Sequence, residues 1–259
     1  MRTVLSKPGR FYEIDVLRGF AVILMVIYHF LYDLDYFGVY SLPSWFWPQQ
    51  FYGFPITDLF VLIAGVSLVF SAAAVPDDKV LAKKLTRRGL KIFALGLLIT
   101  LATWIYPHDG FIVFGILHLI GISTILAIPF LAGHTKSGST SSKNAWAPLV
   151  FGLILLLLGP VVRRISGPPY LIPLGICPPG FSFLDYEPLI PWFGVILIGI
   201  ALGFWLYPNG VRKFSVPERM PRLLSPFSIL GQHSLVIYLI HQPVILLLLW
   251  LFGIIQLGF

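Results

Sequence analysis

The chain has 259 residues, 57% of them hydrophobic and only 11% charged, and its mean hydropathy is +0.87. A water-soluble domain carries about 25% charged residues, so the charges here are too few to cover an aqueous surface. This excludes a soluble cytosolic enzyme, a disordered chain and a nucleic-acid binder built on a soluble basic domain. The apolar residues come in blocks of about 20, the length of a bilayer crossing. Cys177 is the only cysteine, so an intrachain disulfide, an iron–sulfur cluster and a cysteine-based zinc site are all ruled out.

Hydropathy predicts seven spans at roughly 14–34, 55–75, 89–106, 111–132, 146–164, 189–207 and 228–256. The first follows a basic start, as a signal peptide would. It runs too long, contains Arg18 and His29, and lacks a small-residue cleavage site, so a retained span is expected. Breakers separate the blocks: Pro43 and Pro48, Pro76, Pro107 with Gly110, the Ser/Gly/Lys tract Lys136–Lys143, the prolines from Pro168 to Pro191, and Pro208 through Pro226. The last block is too long for one crossing and holds Pro243, which predicts either one kinked helix or a short helix followed by a longer one. The expected fold is an all-α, polytopic transmembrane bundle, a single domain over residues 1–259.

Orientation follows from the basic residues. With the N-terminus inside, 16 of the 18 Lys and Arg fall on the cytoplasmic side, leaving only Arg163 and Arg164 outside. Membrane proteins concentrate Lys and Arg in cytoplasmic loops, so an inside N-terminus and, with seven spans, an outside C-terminus are expected. Two outer loops stand out. Residues 36–54 are rich in aromatics, including Tyr40, Trp45, Trp47 and Tyr52, which reads first as a headgroup-level belt and second as a lid. The Pro-rich stretch 165–191 is the second loop, of a length that often carries function.

Ionisable residues within spans are costly and each calls for a partner. Arg18 lies near the cytoplasmic end of span 1, and His29 follows 11 residues later, about 16 Å along the axis. Asp33 is one turn beyond His29, where it is expected to orient the imidazole as a base–orienter pair requires. Asp58 opens span 2, His118 lies about 10 Å into span 4, and His241 sits in the outer half of span 7. His29, Asp33, Asp58, His118 and His241 therefore reach one depth and form the candidate catalytic set. Taken singly, His118 is explained by a hydrogen bond across a helix interface and Asp58 by a helix N-terminus. No two histidines share one helix at i, i+3 or i+4, so a metal site is not expected.

On the cytoplasmic side, residues 76–91 read PDDKVLAKKLTRRGLK. Asp77 and Asp78 suit a helix start, which would put Lys84, Arg87, Arg88 and Lys91 on one face. Such a face suits anionic lipid or the phosphates of a nucleotide-bearing donor. No GxxxxGK[ST] loop is present, which argues against ATP hydrolysis.

Span 1, EIDVLRGFAVILMVIYHFLYDLDYFG, places ten residues between Arg18 and His29. This spacing resembles the first-helix motif of membrane acyltransferases of the acyltransferase-3 type. The stretches FVLIAGVSLVFS (60–71), LGLLITLATWIYPHDGFIVFGILHLIGIS (95–123) and LGQHSLVIYLIHQPV (230–244) resemble the bacterial and archaeal branch of the heparan-α-glucosaminide N-acetyltransferase catalytic-domain family. The resemblance implies a membrane-embedded acyltransferase of a prokaryotic plasma membrane, using acetyl-CoA from the cytoplasm and a sugar or glycan acceptor from outside. It carries the family's functional Arg and His onto Arg18 and His29. The fewer spans, and the lack of the large external domain of bigger members, point toward an envelope sugar or lipid-linked glycan. Expected partners are membrane lipids, acyl-CoA and the acceptor, with a homodimer left open and nucleic acid excluded. A proton-coupled small-molecule transporter is the alternative, since intramembrane Asp and His also relay protons. A retinal receptor is not, because each Lys lies in a cytoplasmic segment or at its edge.

Overall fold

The computed structural model describes residues 11–43, 55–135, 145–181, 184–217 and 219–256. Arg2, Lys7, Arg10, the loop aromatics from Trp45 to Phe54 and the tract Lys136–Lys143 lie outside the described residues.

The protein is an all-α membrane helix bundle. Among the described residues the helices are α1 (Tyr12–Tyr36), α2 (Pro55–Ala73), α3 (Asp78–Ile105), α4 (Ile116–Leu126), α5 (Ile128–Leu131), α6 (Trp146–Val162), α7 (Leu189–Leu206), α8 (Ser225–Gln232) and α9 (Ser234–Leu251). Of these, α1, α3, α7 and α9 are long and apolar enough to cross a membrane, while Thr57–Ala73, α4 and α6 are shorter apolar helices.

Two expected boundaries move. The basic segment and span 3 form one continuous helix, α3, whose start is fixed by Asp77 accepting the Val80 N–H at 2.9 Å. Nothing between Lys91 and the apolar run breaks the helix. The fourth span begins at Ile116 rather than near residue 111, because residues 107–115 form turns tied to their neighbours. There Ile112 N–H donates to Thr103 Oγ1 at 3.1 Å, and Leu184 N–H donates to the Gly110 carbonyl at 2.8 Å. The last block is a short helix followed by a longer one, as one of the two expectations had it, with the break at His233 and Pro243 inside α9. A proline is tolerated in a membrane helix when its surroundings satisfy the freed carbonyl.

The chain forms two compact units. One comprises Met1–Phe60 and Val216–Phe259, the other Val61–Ser215. In the first, α8 crosses α1 so closely that a Cβ on Gly231 would overlap the Asp15 carbonyl oxygen, and one on Gly19 would overlap that of Phe227. Small residues allow such backbone approach, the usual means by which membrane helices gain contact without a hydrophobic driving force. Phe20 and Phe227 stack beside the crossing at 4.2 Å. In the second unit the same device joins α2 to α7 through Gly65 and Gly199, and α6 to α7 through Gly152 and Gly194.

Candidate functional site

The first unit brings three of the expected site residues together. The His29 and His241 rings meet edge to face, 4.7 Å between centroids. The His29 Nδ1 lies 2.9 Å from the Met25 carbonyl, and the His241 Nδ1 lies 2.7 Å from that of Tyr238. A carbonyl only accepts, so each Nδ1 is assigned the proton in the neutral ring and each Nε2 carries the lone pair. The His241 Nε2 is buried and has no hydrogen-bond partner among the described residues. In each neutral ring Nε2 is then the nitrogen left to accept a proton.

Asp33 does not orient His29, contrary to the expected pairing. Its carboxylate, 2% exposed, accepts from Gln242 Nε2 at 2.7 Å to one oxygen and 2.9 Å to the other. The reason is geometric. The His29 Nδ1 is satisfied one turn back on its own helix, while α9 presents a two-donor amide to the carboxylate. Gln242 was not among the expected residues. An amide inside an otherwise apolar helix beside His241 was the available signal.

Arg18 pairs with Asp15 at 3.3 Å, one turn back on α1, and Asp15 is buried. Asp58 stands in the first turn of α2 as expected.

The second unit holds His118, at the third position of α4 rather than about 10 Å into a span. Its Nδ1 accepts the Gly115 N–H at 3.2 Å, which leaves Nε2–H to face Thr100 Oγ1 at 3.4 Å. Phe114 stacks on the ring and Phe93 packs at its edge. Both nitrogens of this imidazole thus meet protein groups, one of them on α3. Beside it, Asp185 accepts the Ile116 N–H at the start of α4, and burial pushes its carboxyl up to about 6 against the lowering effect of that bond.

The cations of α3 meet different neighbours. Lys84 donates to the Ser71 carbonyl at 3.4 Å and Arg88 approaches Ser71 Oγ at 3.5 Å, at the end of α2, where unpaired carbonyls favour positive charge. Lys83, Arg87 and Lys91 occupy successive turns and, with Thr86 and Leu90, line a shallow groove of about 630 Å³. Among the described residues, no group of three or more His, Cys, Asp and Glu could hold a metal ion.

The model of the family described as heparan-alpha-glucosaminide N-acetyltransferase, catalytic, matches residues 10–243. The chain belongs to that family. It is a membrane acetyltransferase, and an integral membrane protein. No curated protein matches the sequence.

Proposed function

We propose that this acetyltransferase takes its acetyl group from acetyl-CoA on the cytoplasmic side and transfers it to an amine or hydroxyl of a sugar or glycan on the outer face of a prokaryotic plasma membrane. Support for the class of acceptor comes from the family name. The observation that carries the reading is the His29–His241 pair, two imidazoles in edge-to-face contact whose Nδ1 atoms each meet a carbonyl of their own helix.

In this reading His29 Nε2 takes the proton from the acceptor as its nitrogen or oxygen attacks the thioester carbonyl. A carbon–nitrogen or carbon–oxygen bond forms, the carbon–sulfur bond breaks, and His29 returns the proton to the departing thiolate. Such catalysis is worth about 10²–10⁴-fold. His241 is the second base of the pair, Asp33 acts through α9, and Asp58 supplies a carboxyl at the outer end of α2. Arg18 holds a phosphate or the pantetheine end of the donor. Arg87 and Lys91, with Lys83, hold the donor's phosphates, since closely spaced Lys and Arg donors suit phosphate oxygens. Lys84 and Arg88 add to the same positive end of α3. We take both compact units as parts of one catalytic domain, a reading supported by a family match that runs through both.

Thermal-shift and native-mass measurements on detergent-purified protein test the donor. Acetyl-CoA should stabilise and form a one-to-one complex, and ATP should not. Equal responses to the two would remove acetyl-CoA from the proposal.

A further inference from the structure

We infer that Gln242 is a positioning residue of the reacting centre: its amide clamps the buried Asp33 carboxylate and thereby fixes α9 against α1, with the His241 and His29 rings edge to face. The inference rests on the reading of that pair as the site of proton transfer. Beside the clamp, Ile245, Leu249 and Ile255 form an apolar cluster packed by Val26, Leu34, Phe37 and Leu246. Apolar contact is non-directional and sets no rotation of one helix about its own axis. The clamp does. A carboxylate offers no donor, so the amide must present Nε2 to it, and both oxygens are engaged at 2.7 and 2.9 Å.

Its place in the chain ties it to the imidazoles. Gln242 follows His241 directly, and Asp33 lies one turn beyond His29. On its other side comes Pro243, inside α9, which removes the N–H that would bond the Leu239 carbonyl. The helix is thus least constrained by its own backbone where the ring must be held. A buried carboxylate paired only with a neutral amide is also a poor source of stability, since well-packed apolar residues generally serve as well. Orientation is the property such a pair supplies and an apolar pair does not.

The test compares Gln242→Leu, Gln242→Glu and the paired exchange Asp33→Asn with Gln242→Glu, which reverses donor and acceptor across the same gap. Steady-state kinetics and thermal unfolding are measured on the full-length protein in detergent. Misplacing a reacting group by about 1 Å costs up to about 10²-fold, so Gln242→Leu should lower kcat by about 10- to 100-fold. The acetyl-CoA KM should stay within about twofold, because the donor's phosphates are held elsewhere. The paired exchange should recover most of the kcat lost in Gln242→Glu. Wild-type kcat in Gln242→Leu overturns the inference, and so does a folded paired exchange no more active than Gln242→Glu alone. Near-normal transfer by His29→Ala in the same assay would instead remove His29 as the base and leave the clamp to be judged on His241.

Discussion

His29 and His241, 212 positions apart in sequence, stand edge to face at 4.7 Å, each donating Nδ1–H to a carbonyl of its own helix. Two neutral imidazoles fixed in the same tautomer give the site two candidate bases, and kinetics can separate them. His29→Ala should abolish single-turnover transfer from radiolabelled acetyl-CoA while leaving acetyl-CoA binding intact. His241→Gln should retain a measurable fraction of the rate. If His241→Gln were dead and His29→Ala active, the roles would be reversed.

The cations of α3 should respond differently to charge reversal according to their neighbours. Arg87→Glu with Lys91→Glu should raise the acetyl-CoA KM by about 10-fold or more and leave kcat nearly unchanged, as loss of uniform binding does. Arg88→Glu, set against the end of α2, should chiefly lower the unfolding temperature. Normal donor kinetics in the double variant would assign the groove to membrane lipid instead.

Gly231 admits no side chain where α8 crosses α1. A Cβ there would overlap the Asp15 carbonyl, so Gly231→Ala should force the helices apart at a cost of about 1–3 kcal/mol. Because Asp15 also carries Arg18, the variant should lose donor affinity along with stability. An unfolding midpoint equal to wild type would show that the crossing relaxes freely.

Asp185 makes stability depend on pH. Its folded carboxyl is raised to about 6 by burial, so the native protein binds the proton more tightly than the unfolded chain does. The stabilisation is complete below the ordinary carboxylate range and is lost as pH rises through about 6. Asp185→Asn keeps an oxygen for the Ile116 N–H. The difference in unfolding temperature between variant and wild type should therefore grow in the variant's favour from pH 4.5 to pH 8. A difference independent of pH would contradict this.

Topology is open to a direct check. Reporter fusions after Lys136 and after Phe259 should read cytoplasmic and external, respectively, from the 16-to-2 distribution of basic residues. Both on one side would overturn the seven-span arrangement. The break in the last block lies at His233 and leaves α8 only eight residues long, too short for an eighth crossing.

Hydropathy and charge alone determined the membrane class, the helical fold and the approximate place of each apolar helix, and the stretches 60–71, 95–123 and 230–244 carried the resemblance to the family. These properties are written locally, because a bilayer forces each crossing segment to be apolar and to satisfy its own backbone. Tertiary structure decided the rest. From sequence, Asp33 paired with His29 by helical spacing, whereas its partner Gln242 lies 209 positions away and wins with two hydrogen bonds. Lys84 and Arg88 are drawn to Ser71 because the end of α2 offers them carbonyl and hydroxyl oxygens. His118 meets Gly115 and Thr100 at its two nitrogens, partners that its place in the sequence did not announce. In each case a polar group went to the best donor or acceptor within reach, and reach is set by how the helices pack.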